Sequence, residues 1–271
     1  MWFAAALAVQ AQEVQTALAN PEAEAVAGVS YADLVAMALP GAHLAGDAVV
    51  VDRDVALPHI EGEDFAITLT APVGVNSIEA AKVSVDGRPH LALLIDLAEG
   101  DDAAGPVAGL ALFDIAAEPK LVDVVDVGFD RMVSFAEPAS LAVGGGQSLL
   151  LVSNQHGNAG QFYDATSIVE LVEGKLTLVD MVMILSDLGC GGSRTQSVAY
   201  ETDGAAETPA PFEIKVTDKI EGPTDPCEGA EAYAPGATDY AVTYAWDEGA
   251  SLYVVEGDGW ATLDAVNGER Y

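Results

Sequence analysis

Basic side chains are what this chain has least of. Ten Lys and Arg stand against 43 Asp and Glu in 271 residues, a formal net charge of −33. The five Lys and five Arg are scattered, so no basic patch exists to displace the counterions of a nucleic acid or to grip an anionic lipid surface. Cations, basic proteins or neutral partners are the natural counterparts of such a surface. Cysteine is nearly absent as well, with Cys190 and Cys227 the only two. No apolar run approaches the roughly 20 residues a membrane-spanning helix needs.

Catalytic signatures are also missing. The chain has no GxSxG, no HExxH, no P-loop and no GxGxxG after a strand. Gly144-Gly145-Gly146 comes nearest to a phosphate-cradling loop, but it leads into a strand, without the helix N-terminus such a loop uses. The four histidines, His43, His59, His90 and His156, are far apart, and no two stand at metal-ligand spacing.

What the chain does have is apolar bulk. Hydrophobic residues make up 51% and mean hydropathy is +0.27, whereas a disordered acidic chain has little apolar surface to bury. The carboxylates therefore coat a core, and their mutual repulsion should relax as salt screens it.

Residues 1–11, Met1-Trp2-Phe3-Ala4-Ala5-Ala6-Leu7-Ala8-Val9-Gln10-Ala11, read as the remnant of a secretory signal. A short apolar run precedes small residues at Val9 and Ala11, with a cut before Gln12-Glu13. The positive n-region is missing, and an apolar helix packed on the core is the alternative. In an exported chain the two cysteines suggest one disulfide, worth roughly 4 kcal/mol in the loop-entropy picture. Buried free thiols remain the other reading, and two Cys without nearby His make a poor zinc site.

Residues 12–46 read as an N-terminal helical segment, with one or two short helices. Asn20-Pro21-Glu22 places a capping residue before a proline, and Ser30-Tyr31-Ala32-Asp33 resembles a capping box. Tyr31, Leu34, Val35 and Ala38 recur at helical spacing until Pro40-Gly41.

From residue 47 to 271 the chain reads as one all-β domain. Asp86-Gly87 joins two strands of a hairpin, 81–85 and 90–97, and Glu173-Gly174 joins another, 167–172 and 175–185. Phe212, Ile214 and Val216 alternate with Glu213 and Lys215. Tyr240, Val242, Tyr244 and Trp246 line one face of a late strand, which suits a core face better than a ligand platform. Strands at regular intervals predict antiparallel hairpins in a sandwich, barrel or propeller.

A phrase recurs within this region. Leu121-Val122-Asp123-Val124-Val125 matches Leu178-Val179-Asp180-Met181-Val182, and each follows a strand and a turn. The preceding strands are Ala111-Leu112-Phe113-Asp114-Ile115 and Ser167-Ile168-Val169-Glu170-Leu171. Ser251 to Val255 echoes it after Tyr244-Ala245-Trp246. Gly109 to Val127 resembles the strand-turn-strand phrase of bacterial β-propeller repeats. The copies lie at unequal intervals, and the resemblance covers under a tenth of the chain, so it carries no function over.

Two kinds of candidate site emerge. Asp96, Glu99, Asp101 and Asp102 place hard oxygen ligands at a strand end and its loop, which suits Ca²⁺, although the spacing is not that of an EF-hand. Glu61/Glu63/Asp64, Asp123/Asp126/Asp130 and Asp225/Glu228/Glu231 are further acidic groups. The uncharged polar run from Ser153 to Tyr163 offers Asn154, His156, Asn158, Gln161 and Tyr163 for binding a sugar or peptide, with His156 able to serve as a base. The reading that follows is an exported, acidic all-β protein of the envelope or extracellular space that binds a partner or ions, or serves a structural role. The alternative is an exported hydrolase using paired carboxylates, for example on glycans.

Overall fold

The computed structural model describes residues 15–16, 20–97, 107–130, 132–158, 160–223 and 232–269. It is built almost wholly from antiparallel strands, with two short α-helices and one 3₁₀ turn. The N-terminal half supplies β1 (Gln15–Thr16), β2 (Glu24–Val26), β3 (Val29–Ser30), α1 (Tyr31–Ala38), β4 (Ala42–Ala45), β5 (Ala48–Val51), β6 (Val55–Ala56), β7 (Thr68–Leu69), β8 (Val73–Val85), β9 (Arg88–Leu97), β10 (Val107–Asp114) and β11 (Lys120–Asp126). The second half supplies β12 (Met132–Ala142), β13 (Ser148–Asn158), β14 (Gln161–Val172), β15 (Lys175–Gly189), β16 (Gly192–Thr202), β17 (Phe212–Glu221), β18 (Gly236–Asp247), β19 (Leu252–Val255) and α2 (Ala261–Gly268).

The strands form two large sheets. The N-terminal sheet runs β11-β10-β9-β8-β5-β4, with β1 also paired to β8. The C-terminal sheet is a plain meander from β12 to β19 and curls into a half-barrel. The predicted choice between sandwich, barrel and propeller thus resolves into two stacked sheets, not a ring of blades.

Layering explains the unbroken apolar runs. On β9, Leu91, Leu93, Ile95 and Leu97 meet α1 and the N-terminal hairpins, while Ala92 and Leu94 face the other sheet. On β13, Leu150 and Val152 face the N-terminal sheet, while Leu149 and Leu151 line the inside of the curl. A strand buried on both faces has no polar face to alternate. Phe212, Ile214, Val216, Val242 and Tyr244 fill that inside, as their alternation predicts. Each such side chain contributes about 1.5–3 kcal/mol by leaving water.

The local signals translate directly. Asp86-Gly87 and Glu173-Gly174 take positive φ (51°/69° and 50°/79°), the left-handed pair that a tight hairpin turn needs. Ser30 Oγ accepts from the Asp33 N–H while Asp33 Oδ2 accepts from the Ser30 N–H, both at 3.1 Å, completing the capping box. One expectation is corrected: the helix begins only at Tyr31. Asn20 Oδ1 accepts from the Glu22 N–H (3.0 Å) and so marks a turn, and residues 24–30 form the β2–β3 hairpin. Ala27 and Gly28 supply its positive-φ turn. The helix α2 near the end of the chain was not expected.

Gly144, Gly145 and Gly146 form a packing joint. A Cβ at these positions would come within 2.5 Å of Thr208 O, 2.7 Å of Pro209 Cδ and 2.6 Å of Gly87 N respectively. Three left-handed glycines there let the β12–β13 turn nest against the β8–β9 turn and the 203–210 loop.

Candidate functional site

The five predicted ligand residues come together. Asn154, His156 and Asn158 alternate along β13 and pair with Ala165, Tyr163 and Gln161 of β14, so all five candidates share one face of one hairpin. The polar run lies in the ladder, not in a loop, because its side chains find partners. Ser153 Oγ donates to Asp164 at 2.9 Å, and Gln155 Nε2 donates to the same carboxylate at 3.0 Å. Asn154 is fully buried. Its Nδ2 donates to Val127 O (3.1 Å) and its Oδ1 accepts from the Phe129 N–H (2.8 Å), pinning the β11–β12 connection to β13.

That connection delivers Asp130. Its carboxylate accepts from the Tyr163 hydroxyl and meets His156 Nδ1 at 3.0 Å, while the imidazole and phenol rings stack with centroids 5.5 Å apart. Asp130 was an ion-ligand candidate from the sequence; its partners are ring groups.

The same face continues across the sheet. Gln161 pairs with Asp187, Asp187 with Arg194, and Arg194 with Ile220. Together with Gly160, Leu188, Gly189, Tyr233 and Ala234 they line an open groove of about 610 Å³. Arg194 Nε reaches both oxygens of buried Asp218 at 3.0 Å, so its charge is already compensated.

The β15–β16 ladder stops after residues 186–189 have paired with 192–195. Beyond it, Gln196 Oε1 accepts from the Leu185 N–H (2.8 Å) and Asn267 Nδ2 donates to Met183 O (3.1 Å). Two amide side chains thus replace a strand partner, and α2 fills the gap. Across the curl, β19 approaches the β14–β15 hairpin. There the Tyr253 N–H donates to Glu170 Oε2 at 3.1 Å, beside a second cavity of about 290 Å³. Burial pushes the Glu170 carboxyl up to about 7. Tyr244 OH donates to Asp180 Oδ2 (2.8 Å) and accepts from Trp260 Nε1 (3.0 Å) deeper inside.

Among the described residues the acidic groups do not gather. Asp123 accepts from Lys175 Nζ (2.9 Å) and the Leu176 N–H (2.8 Å). Asp126 Oδ1 accepts from the Ala108 and Gly128 N–H groups, both 2.9 Å, and burial raises its pKa. His59, between the Phe65 and Phe129 rings, has Nε2 3.2 Å from Gly128 O while Nδ1 accepts from the Glu61 N–H, so both nitrogens are occupied. Among the described residues no three His, Cys, Asp or Glu are grouped to hold a metal ion. Asp96 lies on β9; Glu99, Asp101 and Asp102 fall outside the described residues, as does the Asp225/Glu228/Glu231 group. The signal-like residues 1–11 and Cys227 also fall outside them, so the predicted Cys190–Cys227 cross-link does too. No helix among the described residues is long and apolar enough to cross a membrane.

Sequence reasoning passed over Arg194, Leu188, Tyr233 and Glu170. Glu170 was visible in principle, since it shares strand parity with inward-facing Ile168 inside an apolar run. Of the groove residues only Gln161 was singled out; Arg194, Leu188 and Tyr233 left no signal, because the ends of four strands and a loop meet there. The chain matches no family model, no curated protein and no solved structure.

Proposed function

We propose that this chain is an exported, acidic, non-catalytic binding module of the cell envelope or extracellular space, with the groove across the ends of β14–β17 as its ligand face. The groove carries this reading. Leu188 is 74% exposed and Tyr233 39% exposed beside a concave floor of Gln161, Asp187 and Arg194. Large apolar groups held in water around a hollow mark interaction surfaces. With Arg194 neutralised by Asp218 and the chain strongly anionic, the partner is neutral or basic. The test is a photo-crosslinking residue at position 188, compared with one at exposed Phe65 in the 3₁₀ turn between β6 and β7, in the source envelope fraction. A discrete adduct from 188 alone is expected; equal labelling from both, or none, rejects the groove.

Export rests on the signal-like start and on the cysteine pair. The chain on both sides of the Cys227 segment reaches the turn that bears Cys190, which supports a disulfide. The Tyr233 N–H donates to Gly191 O at 2.7 Å, and Glu221 pairs with Ser193. Thiol labelling of the unfolded, unreduced chain should find no reactive sulfur. Ca²⁺ held by Asp96, Glu99, Asp101 and Asp102 belongs to the same reading, and a chelator should then lower the melting temperature.

A carboxylate hydrolase draws on Glu170, whose raised pKa suits a general acid near neutrality. Such an enzyme works with a second carboxyl roughly 5–9.5 Å away. Among the described residues lining that cavity, Glu170 is the one carboxylate.

A further inference from the structure

Glu170 sits on the inward face of β14, opposite Thr177 of β15, where the end of the β14–β15 hairpin meets β19. The residue is 6% exposed, so its carboxyl is held away from bulk water. The cavity beside it is half-open and mostly aliphatic, walled by Val172, Leu178, Val179, Leu252 and Val255, with Thr177 and one acid among them. Its volume, about 290 Å³, stands at the lower end of small-molecule sites.

No protein cation serves this acid among the described residues. Lys175, on the same hairpin, donates to Asp123 instead. From β15 the cavity meets Thr177, Leu178 and Val179, and the nearest acid on that strand, Asp180, is bonded to Tyr244. From β19 it meets Tyr253 as the one other titratable residue. That hydroxyl donates toward the Val143 and Ala210 carbonyls at 3.1 and 3.0 Å, and burial raises its pKa, so it stays neutral.

A carboxyl so placed has two stable conditions. It stays protonated, or it ionises when a cation arrives to share the enclosure. The walls require that the cation carry an apolar body. A metal ion would find one carboxylate and the Thr177 hydroxyl, well short of the six or more oxygens that calcium or magnesium takes. We propose that the cavity between the β14–β15 hairpin and β19 is a binding site for a small organic monocation, a primary alkylammonium, with Glu170 as its counter-ion. The site is separate from the groove at residue 188, so failure at one leaves the other standing.

The test is titration calorimetry of the full chain at about 0.15 M salt, with n-butylammonium and with n-butanol as its uncharged counterpart. The raised pKa of Glu170 sets the pH signature. Affinity for the amine should rise about tenfold between pH 6 and pH 8, because only the ionised carboxyl pairs with it. Buffers of different ionisation heat should report about one proton released per amine bound at pH 6 and almost none at pH 8. The alcohol should bind at least about tenfold more weakly than the amine at pH 8. In Glu170→Gln, whose amide oxygen can still accept from the Tyr253 N–H, the preference for amine over alcohol should vanish. Equal binding of amine and alcohol to the native chain, amine affinity that survives Glu170→Gln, or no proton release at pH 6 would each overturn the proposal. Loose condensation of cations on the acidic surface would persist in Glu170→Gln and so counts against it.

Discussion

The hairpins β10–β11 and β14–β15 carry the same phrase and fold to the same detail, yet they treat the same acid in opposite ways. In the first, Leu112 pairs with Asp123 and Phe113 with Leu121, so Val122 is bulged out. In the second, Ile168 pairs with Asp180 and Val169 with Leu178, so Val179 is bulged out at the equivalent place. The acid two residues after Leu112 is Asp114. It accepts from the Ala116 N–H and pairs with Arg88, and these partners hold its pKa down. Its counterpart after Ile168 is Glu170, buried in the curl with its pKa pushed up to about 7. Local sequence therefore sets the bulge, while the sheet packed against the hairpin sets the chemistry. The third echo, Ser251 to Val255, pairs with β18 without a register shift and is a simple hairpin.

Removing packing tests the likeness most strongly. Leu112→Ala and Ile168→Ala each empty a site that is at most 1% exposed, and each should cost about 3 kcal/mol in urea unfolding. A gap between them larger than about 2 kcal/mol would mean that one hairpin is loosely held.

Acidity tests the difference. The Glu170 pKa is raised on folding from 4.5 to about 7, so its contribution is present below pH 4.5 and lost as pH rises toward 7 and beyond. Glu170→Gln should remove that slope, up to about 3 kcal/mol, from melting curves taken between pH 5 and pH 8. Asp114 has the opposite sign. Its pKa is lowered, so its contribution is present above the ordinary Asp value and lost in acid, and Asp114→Asn should flatten only the acid limb.

The paired aspartates sharpen the contrast further. Asp123→Ala strands the buried Leu176 N–H and should cost about 2 kcal/mol. Asp180→Asn keeps one acceptor oxygen for Tyr244 or the Met181 N–H, where the carboxylate serves both, and should cost about 1 kcal/mol. It should also lower the pKa of Asp264, which burial and the Asp180 charge hold up, by NMR titration. The smallest effect is general: molar NaCl should raise the melting temperature by a few degrees as it screens the acidic coat. An unchanged value would mean that the carboxylates are too far apart to strain the fold.

The fold was legible because its signals are local. A left-handed dipeptide makes a hairpin wherever two β-formers flank it, as at Asp86-Gly87 and Glu173-Gly174. Ser30 and Asp33 cap a helix whatever lies beneath it. By contrast, the face shared by Asn154, His156, Asn158, Gln161 and Tyr163 follows only once β13 and β14 are placed in register, which the polar run did not signal. The N-terminal hairpin was misread as helix because Asn20-Pro21 serves turns as well as caps.

By itself the sequence determined an anionic coat, an antiparallel β interior and two hairpins that share a phrase. Each depends on composition or on residues a few places apart. Only the tertiary structure decided which acids are masked, where Arg194 finds Asp218, and that Glu170 faces an aliphatic cavity. Burial and charge compensation are sums over neighbours from distant strands, and no spacing along the chain records them.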